Sequence, residues 1–181
     1  MSRDDTTLLV VDVQEKIIRL LPDHPGIIWN IRRLLSAAAT LNVTVLATEQ
    51  YPKGLGGTVA DLAEDLKAVD EKLTFSCAGC DRMVERLQAA ATTKVLVVGI
   101  ETHVCVQQTV LDLLADGLNV YVAADAVGAR REIDHMTALR RMDSAGATLT
   151  TAEAAMFEWC QIAGTPEFKR ISALVRQSPP G

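Results

Sequence analysis

Four short apolar runs constrain this chain more than anything else in it: residues 8–12 (LLVVD), 43–48 (VTVLAT), 95–99 (VLVVG) and 120–124 (VYVAA). Each run is continuous, where a half-exposed strand would alternate polar and apolar residues. Strands of this kind are buried on both faces, as in a parallel sheet covered by helices on each side. Between and after them lie segments of helical length, 27–40, 81–91, 103–115 and 132–145. A short strand is expected at 149–151 and closing helices at 152–161 and 167–176. Gly117 and Gly146 stand where helix-terminating glycines belong. The alternation implies βαβ crossovers and an α/β fold, a three-layer, Rossmann-like parallel β-sheet flanked by helices on both faces. A length of 181 residues suits one domain over 1–181, with no repeat, linker or low-complexity tract. Only 4% of the residues are aromatic against 49% hydrophobic, so the core is expected to be Val, Leu, Ile and Ala.

Composition also narrows the partners. With 23 Asp and Glu against 18 Lys and Arg, the net charge is −5, which argues against a protein that tracks nucleic-acid phosphates. No run approaches the roughly 20 apolar residues of a membrane span. The amino-terminal stretch lacks the apolar segment of a secretory signal. The expectation is therefore a cytoplasmic protein with four free thiols, acting on a small molecule without nucleic acid or membrane.

In open parallel sheets ligands bind beyond the carboxyl ends of the strands. Four features fall there: Asp12 after the first strand, Glu49 after the second, residues 72–76 after a weak third, and residues 99–105 after the fourth. Cys105 is the strongest single position. If Thr102 is the N-cap, Cys105 falls at the third residue of the helix, where free amides and the helix dipole favour a thiolate. Such sites lower a thiol from about 8.5 to about 3.5–7.5. Alone, Cys105 reads more readily as a small buried hydrophobe, as most free cysteines are. Asp12 interrupts an apolar run and is either a capping acid or a functional one. Lys72 alone carries no weight. Together the three supply a nucleophile, a proton acceptor and a cation, each at a strand end. Residues 53–57 (KGLGG) read as a mobile loop, and residues 178–181 as a frayed tail.

Competing sites are weaker. His103 and Cys105 are two apart and do not face each other on a helix, so a Cys–His dyad is rejected. Cys77 and Cys80 have the spacing of half a zinc site with no second half, and read as ordinary loop thiols, as does Cys160. The three histidines share no ligand spacing, so no metal is expected. No glycine fingerprint follows the first strand, and no nucleotide or other cofactor is expected.

With these residues assembled, the chain resembles the isochorismatase-like cysteine hydrolases along almost its whole length. The resemblance is carried by LLVVDVQ (8–14), TEQYPKGLG (48–56), KLTFS (72–76), VVGIETHVC (97–105) and VAADA (122–126). It is nearest to short isochorismatase-domain proteins with a TEQYP-type loop. The resemblance implies an Asp–Lys–Cys triad, with Cys105 as nucleophile, Asp12 as proton shuttle and Lys72 holding both in register. It implies a cis peptide between Ile100 and Glu101, and an oxyanion hole made by the backbone N–H groups of Glu101 and Cys105. It further implies a homo-oligomer, dimer or tetramer. Gln14, Glu49, Tyr51, Phe75 and Thr102 lie near the same strand ends and are candidates to line a substrate pocket.

One departure matters. Nicotinamidases of the family hold a metal with an Asp-x-His pair after the second strand and a further histidine. Here that region reads Thr48-Glu49-Gln50-Tyr51-Pro52, so no metal and no nicotinamide are expected. The leading expectation is hydrolysis of an amide or related C–N bond through a thioester. Isochorismatase-type ether hydrolysis without the thiol, and a non-catalytic binding or assembly module, remain alternatives.

Overall fold

The computed structural model describes residues 1–90 and 92–179. The first apolar run becomes β1 (Thr6–Val11), buried along its entire length in the middle of the sheet. Its side chains alternate between two cores. Leu8 and Val10 face one and Leu9 and Val11 the other, which is why the run tolerates no polar residue. Burying four such side chains stabilises the strand by about 1.5–3 kcal/mol each.

After β1 come a single turn α1 (Glu15–Ile18), the long helix α2 (His24–Leu41) and β2 (Thr44–Gln50). The short helices α3 (Pro52–Leu55) and α4 (Ala60–Ala63) lead to β3 (Asp70–Lys72), a 3₁₀ turn Cys77–Gly79, α5 (Asp81–Ala89) and β4 (Lys94–Ile100). A π-helical turn Thr102–Val106 then runs into α6 (Gln107–Ala115), β5 (Asn119–Gly128) and α7 (Glu132–Ser144). β6 (Thr148–Thr150), α8 (Ala152–Cys160) and α9 (Pro166–Val175) complete the described chain. The sheet order is β3-β2-β1-β4-β5-β6 and every pair is parallel. α2, α8 and α9 cover one face, while α5, α6 and α7 cover the other, giving the expected three layers. No described helix is long and apolar enough to cross a membrane.

Several expected boundaries move for physical reasons. α2 starts a turn earlier than residue 27, because Pro25 in the first turn needs no intrahelical N–H partner. It stops where Asn42 turns left-handed, φ 60°, and its N–H returns to the Ala38 carbonyl. Residues 53–57 are not a free loop. Pro52–Leu55 forms a helical turn, and Gln14 Nε2 and Lys16 Nζ hold the Gly56 and Gly54 carbonyls at 2.7 and 2.8 Å. The helix expected at 103–115 begins with the π turn instead. Its N-cap is Glu101 and not Thr102, so Cys105 sits one position deeper than the spacing suggested. Ala91, the expected end of α5, lies outside the described residues, as do residues 180 and 181 of the expected frayed tail.

The topology fixes where chemistry can be built. The chain moves outward from β1 through β2 to β3, then crosses back to place β4 on the other side of β1. The crevice at this reversal opens beyond the carboxyl ends of β1 and β4. There Gly99, at φ 116°, lets the two strands approach so closely that a Cβ would lie 2.1 Å from the Val11 carbonyl oxygen. No other residue type fits.

Candidate active site

Asp12 follows β1 in a left-handed conformation, φ 51°, which Asp tolerates better than most residues. This turn directs its carboxylate into the crevice, where only 1% of the residue is exposed. Oδ2 accepts from Lys72 Nζ at 2.6 Å and Oδ1 accepts from Thr48 Oγ1 at 2.8 Å. Lys72, the last residue of β3, is equally buried. Its ammonium also donates to Gln50 Oε1 at 3.2 Å and to the main-chain carbonyls of Thr74 and Phe75 at 3.1 and 2.9 Å. A buried ammonium needs such an acceptor set, since an isolated charge there would be prohibitive.

Cys105 enters the same crevice from the π turn after β4, 7% exposed, with Sγ 3.6 Å from Gln50 Oε1. The ends of β1 and β4, which are neighbours, and of β3, one strand further out beyond β2, thus bring together Asp12, Cys105 and Lys72. The Ile100–Glu101 peptide is cis. The Glu101 carbonyl accepts from the amides of Val104 and Val106, at 3.0 and 3.3 Å. The Glu101 side chain turns away, holding Arg130 through Nε at 2.9 Å.

The electrostatics reverse one expectation. Burial pushes the Cys105 thiol far above its usual range, and the adjacent Asp12 carboxylate adds to the rise, with Lys72 opposing. Burial thus works against the thiolate that a helix terminus favours. Asp12 is itself raised by burial, against the pull of Lys72 and its hydrogen bonds. A carboxyl raised in this way is a stronger proton acceptor than an exposed one, and the same burial raises the thiol that would give up the proton.

The remaining expected residues divide. Gln14 does not line a pocket. It is fully buried, exchanging hydrogen bonds with the Gln50 backbone at 2.8 and 3.0 Å and latching Gly56. Glu49 points to the opposite side of β2 and binds Thr58 through N–H and Oγ1, at 2.6 and 2.7 Å. Tyr51, held at φ 39°, and Phe75 are half-exposed at the rim. Tyr51 borders a cleft of about 370 Å³ together with Lys53, Glu71, Lys72 and Leu73. Thr102 is buried and pairs with His135 Nδ1 at 3.0 Å. His103 faces Asp134 and not Cys105, as the spacing required.

Three residues of the cluster were missed: Thr48, Gln50 and Cys77. Side chains two apart on a strand share a face, so Thr48 and Gln50 point together while Glu49 points away. That period was available in the sequence. Cys77, read as an ordinary loop thiol, is fully buried, with Sγ 3.4 Å from Thr48 Oγ1. All four cysteines are free. Among the described residues, no group of three or more His, Cys, Asp or Glu side chains could hold a metal ion.

Comparison with known proteins agrees with this geometry. The isochorismatase domain model matches residues 6–154. A secreted isochorismatase effector, Isc1, of Phytophthora sojae is 38% identical over 95% of this chain and 85% of its own length. Isochorismatase domain-containing protein 2 of Xenopus laevis is 38% identical over 99% of this chain and 88% of its own. A solved Caenorhabditis elegans structure described as MAR1 ribonuclease superposes with a TM-score of 0.93 at 40% identity, covering 100% of this chain and 94% of that one. A relative described as a ribonuclease removes the support for excluding nucleic acid on charge balance alone.

Proposed function

Because the chain belongs to the isochorismatase-domain family of isochorismatase-like hydrolases, we propose that it opens an amide or related C–N bond of a small molecule. In this reading Cys105 is the nucleophile, Asp12 the proton carrier and Lys72 the cation that holds the pair in register. The observation that carries the reading is the Asp12 carboxylate, clamped by Lys72 and Thr48 beside a partly accessible thiol at the strand-order reversal.

The steps follow from that arrangement. Asp12 takes the Cys105 proton as sulfur bonds to the carbonyl carbon, so a thiolate need not exist beforehand. Negative charge moves to the substrate oxygen, where the Glu101 and Cys105 amides act as donors. The C–N bond breaks as Asp12 returns the proton to the leaving nitrogen, and an amine or ammonia departs. Water then attacks the thioester, giving its proton to Asp12. Collapse of the second tetrahedral species releases the acid, and the proton on Asp12 restores the thiol. Throughout, Lys72 keeps its charge and stabilises whichever of Asp12 and Cys105 is anionic.

The test is release of amine or ammonia from a panel of small amides, ureides and carbamates, with single-stranded RNA as a separate arm. Wild-type turnover of a small C–N substrate, lost in Cys105→Ala and Asp12→Asn with unchanged circular dichroism, is expected. Near wild-type activity in either variant would remove the triad. RNA cleavage that depends on these residues would replace the small-molecule reading.

Self-association is part of the same proposal. Leu73 and Phe75, 78% and 52% exposed, set large apolar side chains at the mouth of the crevice, a position suited to cover by a second copy. Sedimentation velocity is expected to show an oligomer, and a monomer at micromolar concentration would refute this part.

A further inference from the structure

A second polar cluster lies outside the crevice, in a cleft of about 490 Å³ between α2, β5 and the start of α8. Arg33 lines it, 5% exposed, its guanidinium carbon 3.9 Å from the centroid of the Trp29 ring. Among the described residues its Nε has no hydrogen-bond partner. Asn30, 8% exposed, donates from Nδ2 to the Asp125 carbonyl at 2.7 Å, but its Oδ1 is also unpartnered. Asp125 uses Oδ1 to accept from the Ala152 amide at 2.8 Å, leaving its other oxygen free of this bond. Asp125 and Glu153 both act on the charge of Arg33 without closing on it.

A guanidinium that shares a cleft with two carboxylates, neither closing on it, leaves room for a molecule that pairs with both signs. The charges define it further. A simple anion would meet two carboxylates, and a simple cation would meet the guanidinium. A molecule carrying both charges meets neither objection. Trp29 and Phe157, the latter 39% exposed, add apolar walls. We propose that this cleft binds the zwitterion of an apolar amino acid. The carboxylate sits on the Arg33 guanidinium, the ammonium lies against the Asp125 and Glu153 carboxylates, and the side chain rests on Trp29 and Phe157. The volume falls within the roughly 300–1,000 Å³ of small-molecule sites.

The proposal does not depend on the reaction, so calorimetric titration of the full chain tests it directly. L-Leucine is expected to bind saturably. L-Leucinamide, without the carboxylate, and N-acetyl-L-leucine, without the ammonium, should each bind about ten- to a hundredfold more weakly, the value of one charge-assisted contact. Arg33→Gln should abolish leucine binding. If that variant does not fold, the derivative series on the wild-type protein still decides. Equal binding of all three compounds, or no heat with leucine at millimolar concentration, overturns the proposal. So does self-association that Arg33→Gln abolishes, since a second copy would then fill the cleft.

Discussion

Cys105 and Cys77 both lie within the field of the Asp12 carboxylate. Both thiols are raised by burial and then by Asp12, and both are drawn back by Lys72. For Cys77 the result is a thiol pushed up to about 11. What separates them is their surroundings. Cys77 is sealed, its amide bonded to Thr109 Oγ1 of α6 at 2.9 Å and its sulfur against Thr48. Cys105 keeps a small exposed edge and stands on the turn that follows the cis peptide. A charge environment shared by two sulfurs therefore does not select a nucleophile. In the proposed mechanism, access to the carbonyl and nearby backbone donors would do so.

The sharpest way to break this contrast is to remove each sulfur in turn. Cys105→Ala is expected to lower kcat by about 10⁴-fold or more, as loss of a nucleophile does. Cys77→Ala should stay within a few-fold of wild type and cost about 1–2 kcal/mol of stability, read by denaturant titration. If the two outcomes were exchanged, so would be the roles.

Lys72→Met removes the cation that serves both sides. Leaving Asp12 unpaired in the interior should destabilise the fold by about 3–5 kcal/mol. The pH dependence has a definite sign. A carboxyl raised in the folded state contributes stability that is present below its unfolded value and is lost as pH rises through its folded value. Without Lys72 the folded value climbs further, so the variant should lose more stability than wild type as the solution is taken from acid to neutral. Denaturation midpoints that run parallel with pH would show that Lys72 does not govern Asp12.

Asp12→Asn separates reactivity from turnover. With the carboxylate gone, the Cys105 thiol should fall, and alkylation at mildly alkaline pH should accelerate about threefold for each unit of the fall, the gain in thiolate fraction less the nucleophilicity lost. Hydrolysis should nevertheless be lost. Slower alkylation would mean that Asp12 activates the resting thiol. A moderate effect is expected at β2. Gln50→Leu, which removes the acceptor touching both Lys72 and Cys105, should reduce kcat about tenfold at unchanged fold, near the value of one hydrogen bond to a charged group. Glu49→Leu, on the other face, should act on stability alone.

Much of the architecture was readable from the chain because continuous apolar runs fix strands that are buried twice. β1 and β4 lie within one or two residues of their expected limits, and Gly117 and Gly146 do adopt left-handed conformations, φ 84° and 108°. Asp12, Lys72 and Cys105 were readable as strand-end residues and do converge. Gln50 is legible only through the two-residue period of β2, since position at a strand end does not say which face a side chain takes. Cys77 was hidden differently. Its contact with Thr48 crosses 29 positions of sequence, and a C-x-x-C spacing gives no hint of it. The π turn was also out of reach, since a helical register is set by which amides find which carbonyls and not by residue type.

The Lys72 clamp has a consequence for how such a protein changes over generations. Two of its four acceptors are main-chain carbonyls, of Thr74 and Phe75, which any residue at those positions supplies. Leu73 and Phe75 can therefore be exchanged without unseating the ammonium, provided the backbone path is kept. Mutational drift at the mouth is uncoupled from the charged cluster beneath it, so a lineage can vary the rim while inheriting the same buried clamp.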